Sequence, residues 1–240
     1  MQSLIALLCF FSLVGQAAPL GGKDYTEYGK KWTLRSVWPD PKTEPGSGFH
    51  LGGANTDETL QKLKSINGIS IEELEKRMRP DGYSKFGFLG KGEHLIPVLR
   101  KDNTYVVEKK KSSHRAIALA LAMMADIGQK EAGQFADKAV HFTYRGQRYE
   151  YLVRINGGYQ NNPFSKTKEF SGADDEATTS GSGIITLRNL TTSHELAWST
   201  MMPFLIQRYG FYEGEGTTFR VAPEKVFEIM PFLDDAAQKN

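Results

Sequence analysis

Two segments of this 240-residue chain carry side chains suited to holding a ligand or moving a proton. The first runs Asn156-Gly-Gly-Tyr-Gln-Asn-Asn-Pro-Phe164, two glycines beside a tyrosine and then three amides in a row. Carboxamides offer donors and acceptors together, and a phenol adds an apolar face with a polar tip. Tyr159, Gln160 and Asn161 are therefore candidates for contacting a sugar or a peptide. The plainer alternative is a wide turn whose amides bond their own backbone.

The second segment is Arg208-Tyr-Gly-Phe-Tyr-Glu-Gly-Glu-Gly-Thr-Thr-Phe-Arg220. Glycines let a backbone approach a ligand closely, and two acids can divide general-acid and general-base roles. Tyr212, Glu213 and Glu215 are the candidates here, with His194 as a base to test beside the acids. The competing expectation is a solvated turn whose glutamates pair with Arg208 and Arg220.

Motifs that would identify a reaction are missing. There is no phosphate-cradling loop, no strand-linked dinucleotide fingerprint and no nucleophile elbow, so the catalytic residues are unknown from sequence and an enzyme is left open. His194-Glu195 opens like a zinc-protease helix, but Trp198 stands where the second histidine is needed. His50, His94, His114, His141 and His194 are scattered, each expected at the surface or at a cap, so no metal and no cofactor are expected. Asp174-Asp175-Glu176 lacks the alternating ligands of a calcium loop and reads as a solvated acidic loop. Glu108-Lys109-Lys110-Lys111 reads as a solvated turn, with anchoring to an anionic wall or membrane surface as the second reading. Asn189-Leu-Thr191 matches a glycan acceptor. Met123-Met124 and Met201-Met202 read as gap-filling core.

These residues need a scaffold. Asp57 opens the helical half: a helix capped by that residue carries Leu60, Leu63 and Ile66 and stops at Asn67-Gly68. Ser70-Ile-Glu-Glu73 has capping-box spacing for a helix to Arg79, ended by Pro80-Asp81-Gly82. A shorter helix is expected over Glu93–Lys101. Ser112 or Ser113 caps a helix from Arg115 to Ile127 that is apolar nearly all round and so central. Period-2 alternation then begins: Val140–Tyr144, a turn at Arg145-Gly146-Gln147, and a second strand to Ile155 form a hairpin. A loop over 156–182, strands at 183–190 and 196–199, a helix from Pro203 to Tyr209, a strand at Phe219–Val221 and a helix from Pro223 complete the reading. Helices first, then antiparallel strands with interleaved helices, predict an α+β fold. Its parts are an extended Pro/Gly-rich arm over 18–55 and a single α+β domain over 56–240, helical at 56–130 and sheet-rich at 139–240. Trp32 and Trp38 suit an arm that packs down.

Ahead of these stands Leu4–Ala17, an apolar run of export-signal length ending in small residues, which predicts cleavage after Ala17. The lone Cys9 falls inside it, leaving a mature chain without cysteine. That fits a bacterial periplasm or exterior better than an animal secretion. A net charge of +2 argues against a nucleic-acid partner, and no later run is long enough to span a membrane. The expectation is an exported, non-catalytic binding domain for a glycan, a peptide or another envelope protein. The alternative is a hydrolase of envelope polymer or peptide that uses carboxylates or histidine-assisted chemistry.

Overall fold

The protein was analysed as a computed structural model, which describes residues 22–33, 40–133, 137–166 and 179–237. The expected leader, Trp38 and the acidic run Asp174–Glu176 lie outside the described residues.

Local chemistry accounts for most of the elements. The first are β1 (Lys23–Asp24), α1 (Thr26–Lys31) and the short antiparallel pair β2 (Lys42–Thr43) and β3 (His50–Leu51). Helix α2 (Asp57–Lys62) takes its N-cap from Thr56, whose hydroxyl accepts from the Thr59 amide, not from Asp57. Asn67 and Gly68 do not stop that helix. Both have positive φ, 55° and 72°, and they turn a two-residue hairpin between β4 (Ser65–Ile66) and β5 (Ile69–Ser70). Asn-Gly is the favoured pair for such a turn because both central residues need left-handed backbone. Ser70 then caps α3 (Ile71–Met78) by accepting from the Glu73 amide.

Helix α4 (Leu95–Asn103) tolerates Pro97 because it sits in the first turn, where the missing amide has no helical partner anyway. It continues as a π-helical segment, Thr104–Lys109. Ser113 caps α5 (His114–Ala132), the longest helix, through the Ala116 amide.

The sheet follows: β6 (Val140–Tyr144), β7 (Gln147–Asn161), β8 (Thr179–Asn189) and β9 (Glu195–Ser199), then α6 (Met202–Tyr209), α7 (Pro223–Ile229) and α8 (Phe232–Ala237). Its order is β1-β6-β7-β8-β9, antiparallel except that β1 lies parallel to β6. The fold is α+β. No strand forms at Phe219–Val221, where Val221 makes one ladder-like bond to the Tyr212 carbonyl.

Alternation decides the faces. Register aligns Val153 with Ile185 and Ile185 with Trp198, and likewise Tyr151 with Leu187 and Leu187 with Leu196. All of these are buried. They face α5, where Gly128 is pressed so closely on the Tyr151 ring that a Cβ would overlap it. The other face carries a polar row, the His141 imidazole and then Glu150, Arg188 and Glu195 with alternating charge, each directly across from the next. One hydrophobic core runs from Tyr25 to Leu233 and takes in both the helical and the sheet-rich parts. The four methionines of the two pairs are buried in it.

Candidate functional site

Every residue of α6 is buried, and Gly210 ends the helix with φ 63°. The chain then runs inward. Phe211, Tyr212 and Glu213 are fully enclosed, and only at Glu215 does it return to solvent. The expected pair of acids is therefore split between two environments.

Glu213 is the unusual one. Its side chain has no exposure, neither carboxyl oxygen has a hydrogen-bond partner, and its backbone is left-handed at φ 67°. A non-glycine residue held there costs on the order of 1 kcal/mol or more. Burial pushes its carboxyl up to about 8, against the weaker pulls of the Arg220 guanidinium and of the nearby Thr217 hydroxyl, which donates its proton to the Gly214 carbonyl at 2.9 Å and not to the acid. At neutral pH it is a protonated acid. Glu215, by contrast, is held below the usual carboxylate range by its exposed partner Lys101.

Arg220 is not an ion-pair partner of either glutamate. It forks onto Asp102 of α4 at 2.6 and 3.1 Å and donates to the Glu213 carbonyl. Burial pushes Asp102 up to about 6 despite that guanidinium, while Arg220 is itself held above its ordinary value by Asp102. The Arg220 shift favours the charged pair and the Asp102 shift opposes it, but at about 6 the carboxyl is still mostly ionised at neutral pH. Arg208, buried in α6, reaches the Asp40 carbonyl of the arm at 3.4 Å.

A third acid ties this loop to the start of α4. The Glu93 carboxylate accepts from the Gly90 amide at 2.6 Å and the Glu215 amide at 2.7 Å, while Gly214 donates to the Phe88 carbonyl at 2.8 Å. The two glycine-rich loops lie so close that a Cβ on Gly214 would overlap the Glu93 carboxylate, and one on Gly90 would meet Gly216 at 2.8 Å. Glycine is required here by approach, not by turn type. Arg79 fastens the first loop further, donating to the carbonyls of Gly90 and Glu93.

Behind the loop, Tyr212 donates to Nδ1 of His114 at 2.9 Å, and His114 Nε2 donates to the Asn103 side-chain oxygen at 3.2 Å. The Asn103 amide in turn donates to the Asn55 carbonyl at 2.8 Å. Each donor meets an acceptor only if the imidazole is neutral, and burial does lower His114 to about 4. This corrects the expectation of a surface histidine: His114 is 4% exposed and belongs to the core.

Between these loops and α4 lies an open cleft of about 270 Å³, lined by Gly92, Glu93, His94, Pro97, Val98, Lys101, Glu215 and Arg220. Pro97 and Lys101 also line a neighbouring cleft of about 380 Å³ with Asp57, Arg100, Thr104, Tyr105, Lys109 and Glu224. Thr104, Tyr105 and Lys109 there come from the π-helical segment.

The amide-rich segment is placed differently from the expected loop. Residues 156–161 continue strand β7, with Tyr159, Gln160 and Asn161 paired to Gly181, Ser180 and Thr179 after a bulge. Gln160 is buried, and the Asn161 amide donates to the Tyr83 carbonyl. The two segments do meet through aromatics: Phe164 stacks on Tyr209 at 3.9 Å and meets Phe211 edge-on. The cleft that Glu215 lines includes neither Gln160 nor Asn161. Asn189 of the acceptor pattern is fully buried, its amide bound to the Ile229 carbonyl at 2.9 Å, so the folded protein does not present it.

Sequence reasoning missed Asp102, Glu93, Asn103 and His114. Position hinted only at His114, directly after the Ser113 cap and inside the apolar helix. Buried polar atoms of Asn162, Trp198, Ser199 and Gln207 also have no hydrogen-bond partner, like those of Glu213. Such atoms are uncommon in native proteins, and all but Asn162 fall between residues 198 and 213. Among the described residues, no group of three or more His, Cys, Asp or Glu is arranged to hold a metal ion, and no helix is long and apolar enough to cross a membrane.

Compared with protein-family models, curated proteins and solved structures, the chain matches none.

Proposed function

We propose that this chain is an exported, non-catalytic binding domain that seats a peptide segment in the cleft between the start of α4 and the loop after α6. Glu213 carries the reading. A solvated acid would cost nothing at that turn, yet the chain accepts left-handed backbone and a dehydrated carboxyl there. Strain and perturbed acids of this kind concentrate at working sites. The same loop supplies Glu215 and Arg220 to the cleft wall. Binding is favoured over catalysis because Glu213 is enclosed while Glu215 is exposed and paired, so the two carboxylates share no substrate position. A peptide is favoured over a glycan because the cleft sets charges of both signs around an apolar floor of Pro97 and Val98. The leader supports export on its composition.

Panning a displayed peptide library on the mature chain tests this. Selected peptides should bind about tenfold more weakly to Lys101→Glu and to Glu215→Lys, a loss of ~1.4 kcal/mol. Peptides indifferent to both reversals would remove the assignment, and a sugar ligand emerging from a parallel glycan array would replace the peptide.

A hydrolase remains the second reading because Glu213 keeps its proton at neutral pH, the form a general acid needs. Turnover of peptide or envelope polymer that Glu213→Gln abolishes while binding persists would favour it.

A further inference from the structure

A separate cleft of about 500 Å³ opens where β1 and α1 meet the C-terminal end of α5, lined by Lys23, Asp24, Tyr25, Tyr28 and Lys130. The Tyr25 and Tyr28 rings stand edge to face, 5.6 Å between centroids and 86° apart. Each ring face already seats an ammonium: Lys23 lies 5.1 Å from the Tyr25 centroid and Lys130 lies 5.0 Å from that of Tyr28. Both phenols donate to carboxylates, Tyr25 to Glu131 and Tyr28 to Asp126, and Trp32 Nε1 donates to the same Asp126 oxygen at 3.0 Å. Those bonds fix the rings and polarise them toward the carboxylates, which makes their faces better partners for a cation.

Charge agrees with this geometry. Among the residues that line the cleft or accept from its phenols, three carboxylates, Asp24, Asp126 and Glu131, stand against two lysines. The rings are anchored, Tyr25 also packing edge-on against Phe142 at 6.1 Å. The lysines are long side chains whose ammonium groups rest on the rings, and leaving restores their rotamer freedom.

We propose that this cleft binds an organic cation, a quaternary ammonium group that takes over the Tyr25 and Tyr28 faces from Lys23 and Lys130. The group comes either as a small free ion or as a trimethylated lysine side chain. A quaternary ammonium suits the site better than a primary amine because its methyls gain from leaving water and its charge is weakly hydrated.

The mature chain is titrated with tetramethylammonium, with choline, with 3,3-dimethylbutanol as choline's neutral isostere, and with a peptide bearing trimethylated or unmodified lysine. Tyrosine fluorescence and one-dimensional NMR report occupancy. Saturable binding of either free cation or of the trimethylated peptide is expected, with none for the isostere or the unmodified peptide; the relative strength of the two arms identifies the source. Tyr28→Leu should weaken binding roughly fivefold, and Lys23→Ala with Lys130→Ala should tighten it by removing the internal competitors. Tyr28→Leu is chosen because Tyr25 is part of the core; its circular dichroism should match that of the parent. Absence of saturation by every cation, an equal response to the isostere, or binding unchanged in folded Tyr28→Leu would each overturn the proposal.

Discussion

Glu213 follows Tyr212, the hydrogen-bond partner of His114, and the two titratable groups have opposite consequences for stability. Folding raises the Glu213 carboxyl from its ordinary 4.5 to about 8, so the folded chain keeps a proton that the unfolded chain releases. Stability is therefore greatest below 4.5 on this account and declines as pH rises to about 8. Folding lowers His114 from 6.5 to about 4, so the unfolded chain takes up a proton that the folded chain refuses. That contribution is lost as pH falls from 6.5 to about 4. Asp102, raised to about 6, acts with the sign of Glu213 but finishes near pH 6. The window from 6.5 to 8 thus belongs to Glu213, where about 2 kcal/mol should disappear at ~1.4 kcal/mol per pH unit. Denaturant melts across that window should show the decline in the parent chain and a flat line in Glu213→Gln. An equal slope in both would mean that Glu213 is ionised in the fold.

At the scale of elements, the loops around Gly90 and Gly214 are held by one carboxylate. Glu93 accepts amides from both sides, and the backbones lie close enough that no side chain fits between them. Gly214→Ala should force Glu93 off its amides and cost about 2–3 kcal/mol, the usual result of overpacking with unmet polar groups. Ligand binding in the adjacent cleft should weaken with it. Chemical denaturation measures the first effect and the peptide titration the second; a Gly214→Ala chain of parental stability would show that the loops tolerate separation. The Lys101–Glu215 ion pair at the same cleft is exposed on both sides and contributes little to folding, so reversing its charges reads binding rather than stability.

For the whole molecule, the decisive contact is α5 against the sheet. Gly128 lies on the Tyr151 ring, and a single core joins the two regions. Gly128→Ala should push α5 off the sheet and cost about 3 kcal/mol. The helical and sheet signals should still melt together, because neither region has a core of its own. Calorimetry and circular dichroism at a helix-sensitive and an aromatic wavelength check this; two resolved transitions would mean that the halves fold independently.

Much of the scaffold was legible in the residues themselves. Ser70 and Ser113 stand before apolar-periodic runs, and the alternation in 140–155 sets the hairpin and its buried face, whereas the cap expected at Asp57 falls one residue earlier, on Thr56. These are local matters, decided within one or two turns by capping geometry and by side-chain period. Asn67-Gly68 shows where that reading stops: the pair ends a helix or turns a hairpin equally well, and pairing of Ser65–Ile66 with Ile69–Ser70 made the choice. The glycines and amides of 156–161 predict a loop, yet pairing with 179–181 draws the segment into β7. The candidate acids illustrate the same limit. Glu213 and Glu215 differ by two positions on a glycine-rich turn, and nothing local distinguishes them. Their opposite fates follow from what packs over each: the core closes on Glu213, while Lys101, 114 positions earlier in the chain, meets Glu215 in water. Capping and alternation are properties of neighbours in sequence; burial and ionisation depend on neighbours that only the folded chain brings together.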